Sequence, residues 1–179
     1  MPSSSTPSSP KQTPTTMTQF YIRLQEGICG GIKPATPRLL LEITSPGEGA
    51  PSIKSSERKQ GTKVFKEQSA EVSAEQINGL ASELKEVLAG LPTEKPRGAE
   101  DIYGLDTSIF FGSDELEWRN GGPEGFSFPY PLVDVRAKEC ETGCTPGLYE
   151  SDIQPTAAQK AKFKDLVEKI KAIASSSLQ

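Results

Sequence analysis

Asp101–Asn120, DIYGLDTSIFFGSDELEWRN, holds the only Trp of the chain, Trp118, together with Tyr103, Phe110 and Phe111. Aromatic and β-branched residues between turn formers read as strands. Ile102–Phe111 is the first predicted strand, Gly112 and Ser113 the turn, and Glu115–Arg119 the second. Ile102, Leu105, Ile109, Phe111 and Leu116 are then the wall on which a helix packs. Such a hairpin deep in the chain makes the fold a sheet with helices added.

The best helix lies just before it. Ile77, Leu80, Ala81, Leu84, Val87, Leu88 and Leu91 recur at helical spacing and share one stripe. Ser73 and Gln76 have capping-box spacing, and Val72 and Ile77 occupy the staple positions. Gly90 is expected as the C-terminal cap, and Pro92 prevents continuation. Upstream, Gln19–Gln25 and Arg38–Thr44 read as two antiparallel strands, and Thr62–Val72 as an edge strand defended by Lys63, Lys66 and Glu67. Ser45–Gly61 is polar and rich in Ser, Gly and Pro, and reads as a loop. Downstream, Phe126–Arg136 is extended, but Pro129 and Pro131 confine it to a sheet edge or a flap. Ala137–Pro155 reads as loop. Thr156 and Gln159 begin a final helix striped by Phe163, Leu166, Val167, Ile170, Ile173 and Ala174.

These elements predict an α+β fold: a mostly antiparallel β-sheet of 4–6 strands with two amphipathic helices on one face. Residues 1–16 contain 13 Ser, Thr or Pro, too little apolar surface to offset the entropy of ordering. The expected organisation is a disordered leader over residues 1–18, one domain over 19–174 and a frayed tail over 175–179.

Composition excludes several chemistries. Histidine is absent, which removes Ser-His-Asp and Cys-His systems and histidine-ligated metal. The net charge of −4 comes without a Lys/Arg stripe, so nucleic acid is not the expected partner. No apolar run approaches a membrane span, and no secretory signal core is evident; the expected location is cytoplasmic. The three cysteines Cys29, Cys140 and Cys144 form neither a disulfide framework nor a zinc set. They are read as incidental, with a local Cys140–Cys144 disulfide as the other reading. No cofactor or metal motif is present.

Three groups are candidate sites, each with an ordinary structural alternative. Cys29, Gly30 and Gly31 make a tight loop that either only turns the chain or contacts a ligand. Asp101, Asp106, Asp114, Glu115 and Glu117 are either a solvated sheet face or a surface for a cationic or metal-bearing partner. Trp118, Phe126, Phe128 and Tyr130 are either core and flap packing or an exposed platform for protein recognition. The resulting expectation is a non-catalytic protein-interaction module. A hydrolase built on Asp106, Asp114 and Glu117 is a further alternative.

The order of elements also resembles one family. A strand running into Gly30-Gly31-Ile32, a second strand, the Ser73-Ala74-Glu75-Gln76 helix reaching Leu91-Pro92, the Asp101-Ile102-Tyr103 strand and a closing amphipathic helix are similar to emfourin-type inhibitors of M4 metalloproteases. The likeness spans about residues 20–173, with Ser45–Gly61 and Phe126–Pro155 as longer segments. It implies a metalloprotease inhibitor acting through loops such as Glu26–Pro34 or Ser45–Gly61, and it assigns no inhibitory residue.

Overall fold

Alternation sets the first strand. Phe20, Ile22 and Leu24 of β1 (Phe20–Glu26) are buried on one face, as a period of two requires. The computed structural model describes residues 19–29, 37–59, 61–62, 64–97, 100–121 and 150–178. Residues 1–18, Gly30, Gly31, Phe126, Phe128, Tyr130, Cys140 and Cys144 lie outside the described residues, as does the Phe126–Arg136 segment.

β2 (Leu39–Ser45), β3 (Ser52–Arg58) and β4 (Phe65–Glu71) follow β1 as an antiparallel meander. After α1 (Ala74–Leu88) the chain returns on the other side of β1 as β5 (Thr107–Ser113), and β6 (Glu117–Arg119) pairs outside it. The six-stranded sheet has the order β4-β3-β2-β1-β5-β6. The last helix, α2, spans Ala157–Ser177. Among the described residues the fold is therefore α+β, with one antiparallel sheet and two helices. Ile22, Leu24, Ile43, Ile53, Ile109 and Phe111 meet Ile77, Leu84, Leu88, Phe163, Leu166 and Ile170 in one core.

Several local expectations change. Ser45–Gly61 contains β3, whose single large apolar residue, Ile53, is wholly buried. A strand between two others needs little more, because its backbone groups are paired on both sides. Asp101–Asp106 is a turn and not a strand: the Asp101 carboxylate accepts from the N–H groups of Tyr103, Gly104 and Asp106. That local bonding competes with sheet pairing. The β5–β6 turn falls at Asp114–Leu116, where the Ser113 Oγ accepts from Glu115 and Leu116 N–H.

At the helices, Thr156 and Gln159 form the reciprocal capping box. Ser73 is the N-cap of α1 in backbone conformation, but its side chain makes no capping bond. The N–H of Val72 is tied to Pro51 O at 3.0 Å, so the chain enters α1 directly from the sheet. Gly90 is not a left-handed cap; its N–H bonds to Val87 O at 3.1 Å and closes the helix with a tighter last turn. α2 runs to Ser177 instead of fraying at Ser175, with Ser176 and Ser177 hydroxyls donating to Ile173 O.

One aromatic group locks α2 to the sheet. Tyr103 and Phe163 stack at 4.0 Å between centroids, and Trp118 lies 6.1 Å from Phe163. Trp118 Nε1 donates to Leu91 O at 3.1 Å, and Tyr103 OH to Pro92 O at 2.6 Å. Asn120 is wholly buried; its side chain accepts from Ile109 N–H and donates to Thr107 O, continuing the ladder where β6 ends.

Candidate functional site

The end of β1 and the start of β5 carry the most constrained backbone at the sheet end. Gly27 has φ 86°, a left-handed conformation suited to glycine. Asp106 has φ 51°, and among the described residues it is the non-glycine with positive φ. Strain of this kind persists only where surrounding bonds impose it, and it clusters at working sites. The bonds are visible here. Gly27 N–H donates to Asp106 O at 2.9 Å. The Asp106 carboxylate takes Cys29 N–H at 2.7 Å and Arg38 Nη1 at 3.0 Å. Asp101 holds Asp106 N–H from behind at 2.6 Å.

The cluster extends through Arg38, which also lies 3.9 Å from Glu26, while Lys171 of α2 reaches the same Glu26 at 2.6 Å. Ile28 lies against Gly121: a Cβ placed there would meet the movable Ile28 Cδ1 at 2.7 Å, and the φ of 35° itself favours glycine. Loops 27–29 and 101–106 are thus braced together and to α2. Beside Arg38 opens a cavity of about 530 Å³ between the C-terminal turns of α2 and the ends of β2 and β3.

Cys29 is exposed, yet its thiol is pushed up to about 11, first by desolvation and then by Asp106 and Asp101. The thiolate is the nucleophile, so at neutral pH this sulfur is held in its unreactive form.

The remaining predicted residues do not gather here. Asp114, Glu115 and Glu117 lie in and after the β5–β6 turn, at the far end of β5. At about 3.3 Å per residue, that strand puts Asp106 and Asp114 roughly 25 Å apart. The trio Asp106, Asp114 and Glu117 therefore does not converge. Glu115 pairs with Lys85 of α1. Trp118 is 6% exposed and sits in the core, so it is no part of an exposed platform. Among the described residues no group of three or more His, Cys, Asp or Glu is placed to hold a metal. No described helix is long and apolar enough to cross a membrane.

Arg38 and Lys171 were not singled out as site residues, and Asp106 was weighed only as one of several carboxylates. The signal for Asp106 was Gly104-Leu105-Asp106 after Asp101: Asp tolerates left-handed backbone and bonds locally. Comparison with known proteins returns no matching family model, no matching curated protein and no matching solved structure.

Proposed function

We propose that this chain is a non-catalytic protein-binding module that presents the braced end of its sheet, around Gly27–Cys29, Asp106 and Arg38, to a protein partner. The observation that carries this reading is the double engagement of the Asp106 carboxylate by Cys29 N–H and Arg38 Nη1, which fixes Gly27–Cys29 before any partner arrives. Backbone already fixed loses less conformational entropy on association. The narrower form is a stoichiometric inhibitor of a thermolysin-like metalloprotease. It is supported by the likeness in the order of β1, β2, α1 and α2, Asp101–Tyr103 being a turn instead of a strand, and by the same braced residues Gly27–Cys29. A cytoplasmic location is part of the proposal.

The test uses the full chain immobilised, with Asp106→Ala as its control. A protein retained by the wild type and lost by the variant supports the module. Equal retention by both, or by neither, counts against it. Titration of a thermolysin-like protease to an equivalence point at one inhibitor per enzyme supports the narrower form. Undiminished protease activity at excess protein rejects that form alone.

A further inference from the structure

We infer that β4 pairs antiparallel with β4 of a second copy of this chain, joining two six-stranded sheets into one. The two edges of the sheet differ. β6 has three residues, whereas β4 holds an unbroken seven-residue register with β3, from Phe65 opposite Arg58 to Glu71 opposite Ser52. Short strands, prolines and bulges blunt a natural edge, and Phe65–Glu71 has no proline and no break in register. Every residue of β4 except Ala70 is exposed. Val64 just before the strand and Phe65 at its start are 73% and 38% exposed, large apolar side chains left on the surface.

Hydrogen-bond alternation decides which backbone groups are left over. Val72 N–H donates to Pro51 O at 3.0 Å, so the backbone groups of Val72 face β3, and with them those of Ala70, Gln68 and Lys66. The N–H and C=O groups of Phe65, Glu67, Ser69 and Glu71 then point away from β3. Among the described residues no strand lies on that side. Symmetry limits how a second copy can meet them. Opposite residues share a face of the sheet, so a two-fold axis must set one residue opposite itself. With Gln68 on the axis, Phe65 meets the partner's Glu71, Lys66 the partner's Ala70 and Glu67 the partner's Ser69. The whole strand then pairs, every outward N–H and C=O finds its opposite, and no like charges face each other. An axis at Glu67 sets that carboxylate against itself, and one at Ser69 sets Glu67 against the partner's Glu71. Either shift shortens the overlap, and opposed like charges destabilise a cross-strand pair. The Gln68 axis also brings exposed Val64 against the partner's Val72, a residue packed on the core.

The test uses the full chain in sedimentation velocity and amide hydrogen exchange. At concentrations raised to about 1 mM, the mass should climb from 19.3 kDa toward twice that value and stop, because the pairing closes on itself. Over the same series, exchange should slow at Phe65, Glu67, Ser69 and Glu71 and stay constant at Lys66, Gln68 and Ala70, which bond to β3 already. Gln68 is exposed, so Gln68→Lys and Gln68→Glu should melt near the wild type. Each puts like charges on the axis and should weaken self-association several-fold, while an equal mixture of the two should associate at least as tightly as the wild type. A mass of one chain throughout, growth past two chains, or exchange that slows only outside β4 overturns the inference. So does a mixture no tighter than its separate components. The wild-type measurements stand by themselves, so a misfolded variant does not hide the answer. β4 lies three strands from β1, and protein capture dependent on Asp106 is read separately.

Discussion

Arg38 Nη1 meets Asp106 Oδ2 at 3.0 Å, joining the first residue before β2 to the last before β5. Arg38 is also in the lining of the cavity, so one guanidinium touches both the braced loops and the neighbouring recess. The pair is partly exposed, and its ionic attraction contributes little by itself. Its value is positional, because it keeps the Asp106 carboxylate turned toward Cys29 N–H.

Asp106→Ala removes both bonds and leaves a non-glycine at positive φ. It should cost about 1–3 kcal/mol in equilibrium urea unfolding. Asp106→Asn keeps an acceptor for Cys29 N–H and a residue that tolerates left-handed backbone. It should cost roughly 1 kcal/mol or less. Equal losses would mean that the charge, and not the backbone, sets the effect.

Trp118→Ala should destabilise by about 3–5 kcal/mol, as removal of a large buried aromatic does. Trp118→Phe keeps most of the packing but strands Leu91 O, at a cost of roughly 1–2 kcal/mol. Because Trp118 is the sole tryptophan, emission reports on it directly. It should be blue-shifted and resist iodide quenching in the native protein. Efficient quenching would place Trp118 at the surface.

Gly79 lies inside α1, and a Cβ built there has nothing within 4 Å. Gly79→Ala should therefore stabilise by roughly 0.5–1 kcal/mol, through helix propensity and a less flexible unfolded chain. A raised melting temperature with unchanged urea m-value checks it.

Cys29 should alkylate slowly. On a Cys140→Ser, Cys144→Ser background, iodoacetamide should react with the folded protein only as the pH nears about 11, against 9.0 for an unperturbed thiol. The raised value favours the fold below pH 9. That contribution is lost as pH climbs through about 11, because the unfolded chain releases its proton first. Asp106→Asn should lower the alkylation midpoint, since the carboxylate is one of the groups holding the proton in place.

The sheet's centre was legible because Phe20, Ile22 and Leu24 alternate and because Ile77 to Leu88 keep helical spacing. β3 was not, since SIKSSER offers one apolar side chain and follows Pro46, Gly47 and Gly49. Its strand character is imposed by neighbours on both sides, which no local window contains. Ile102 was rightly read as buried, but as a strand residue, and Tyr103 was not singled out as core; the Asp101 carboxylate bonding to three following N–H groups made both part of a turn. The acids after Ser113 drew attention by number. Asp106 matters through bonds to residues 77 and 68 positions away in sequence, invisible before the sheet is assembled.

The place of β1 also governs how the chain can assemble. It is the earliest strand among the described residues, yet its β5 partner arrives roughly 85 residues later, as in the pairing of Leu24 with Ile109. Closing so long a loop is entropically slow. On a ribosome, β1 to β4 can form their hairpins while one edge of β1 stays open. That edge exposes the backbone groups of a strand whose Phe20, Ile22 and Leu24 belong to the core until β5 emerges. A nascent chain paused between Leu91 and Thr107 is therefore the species most prone to mispair with its neighbours.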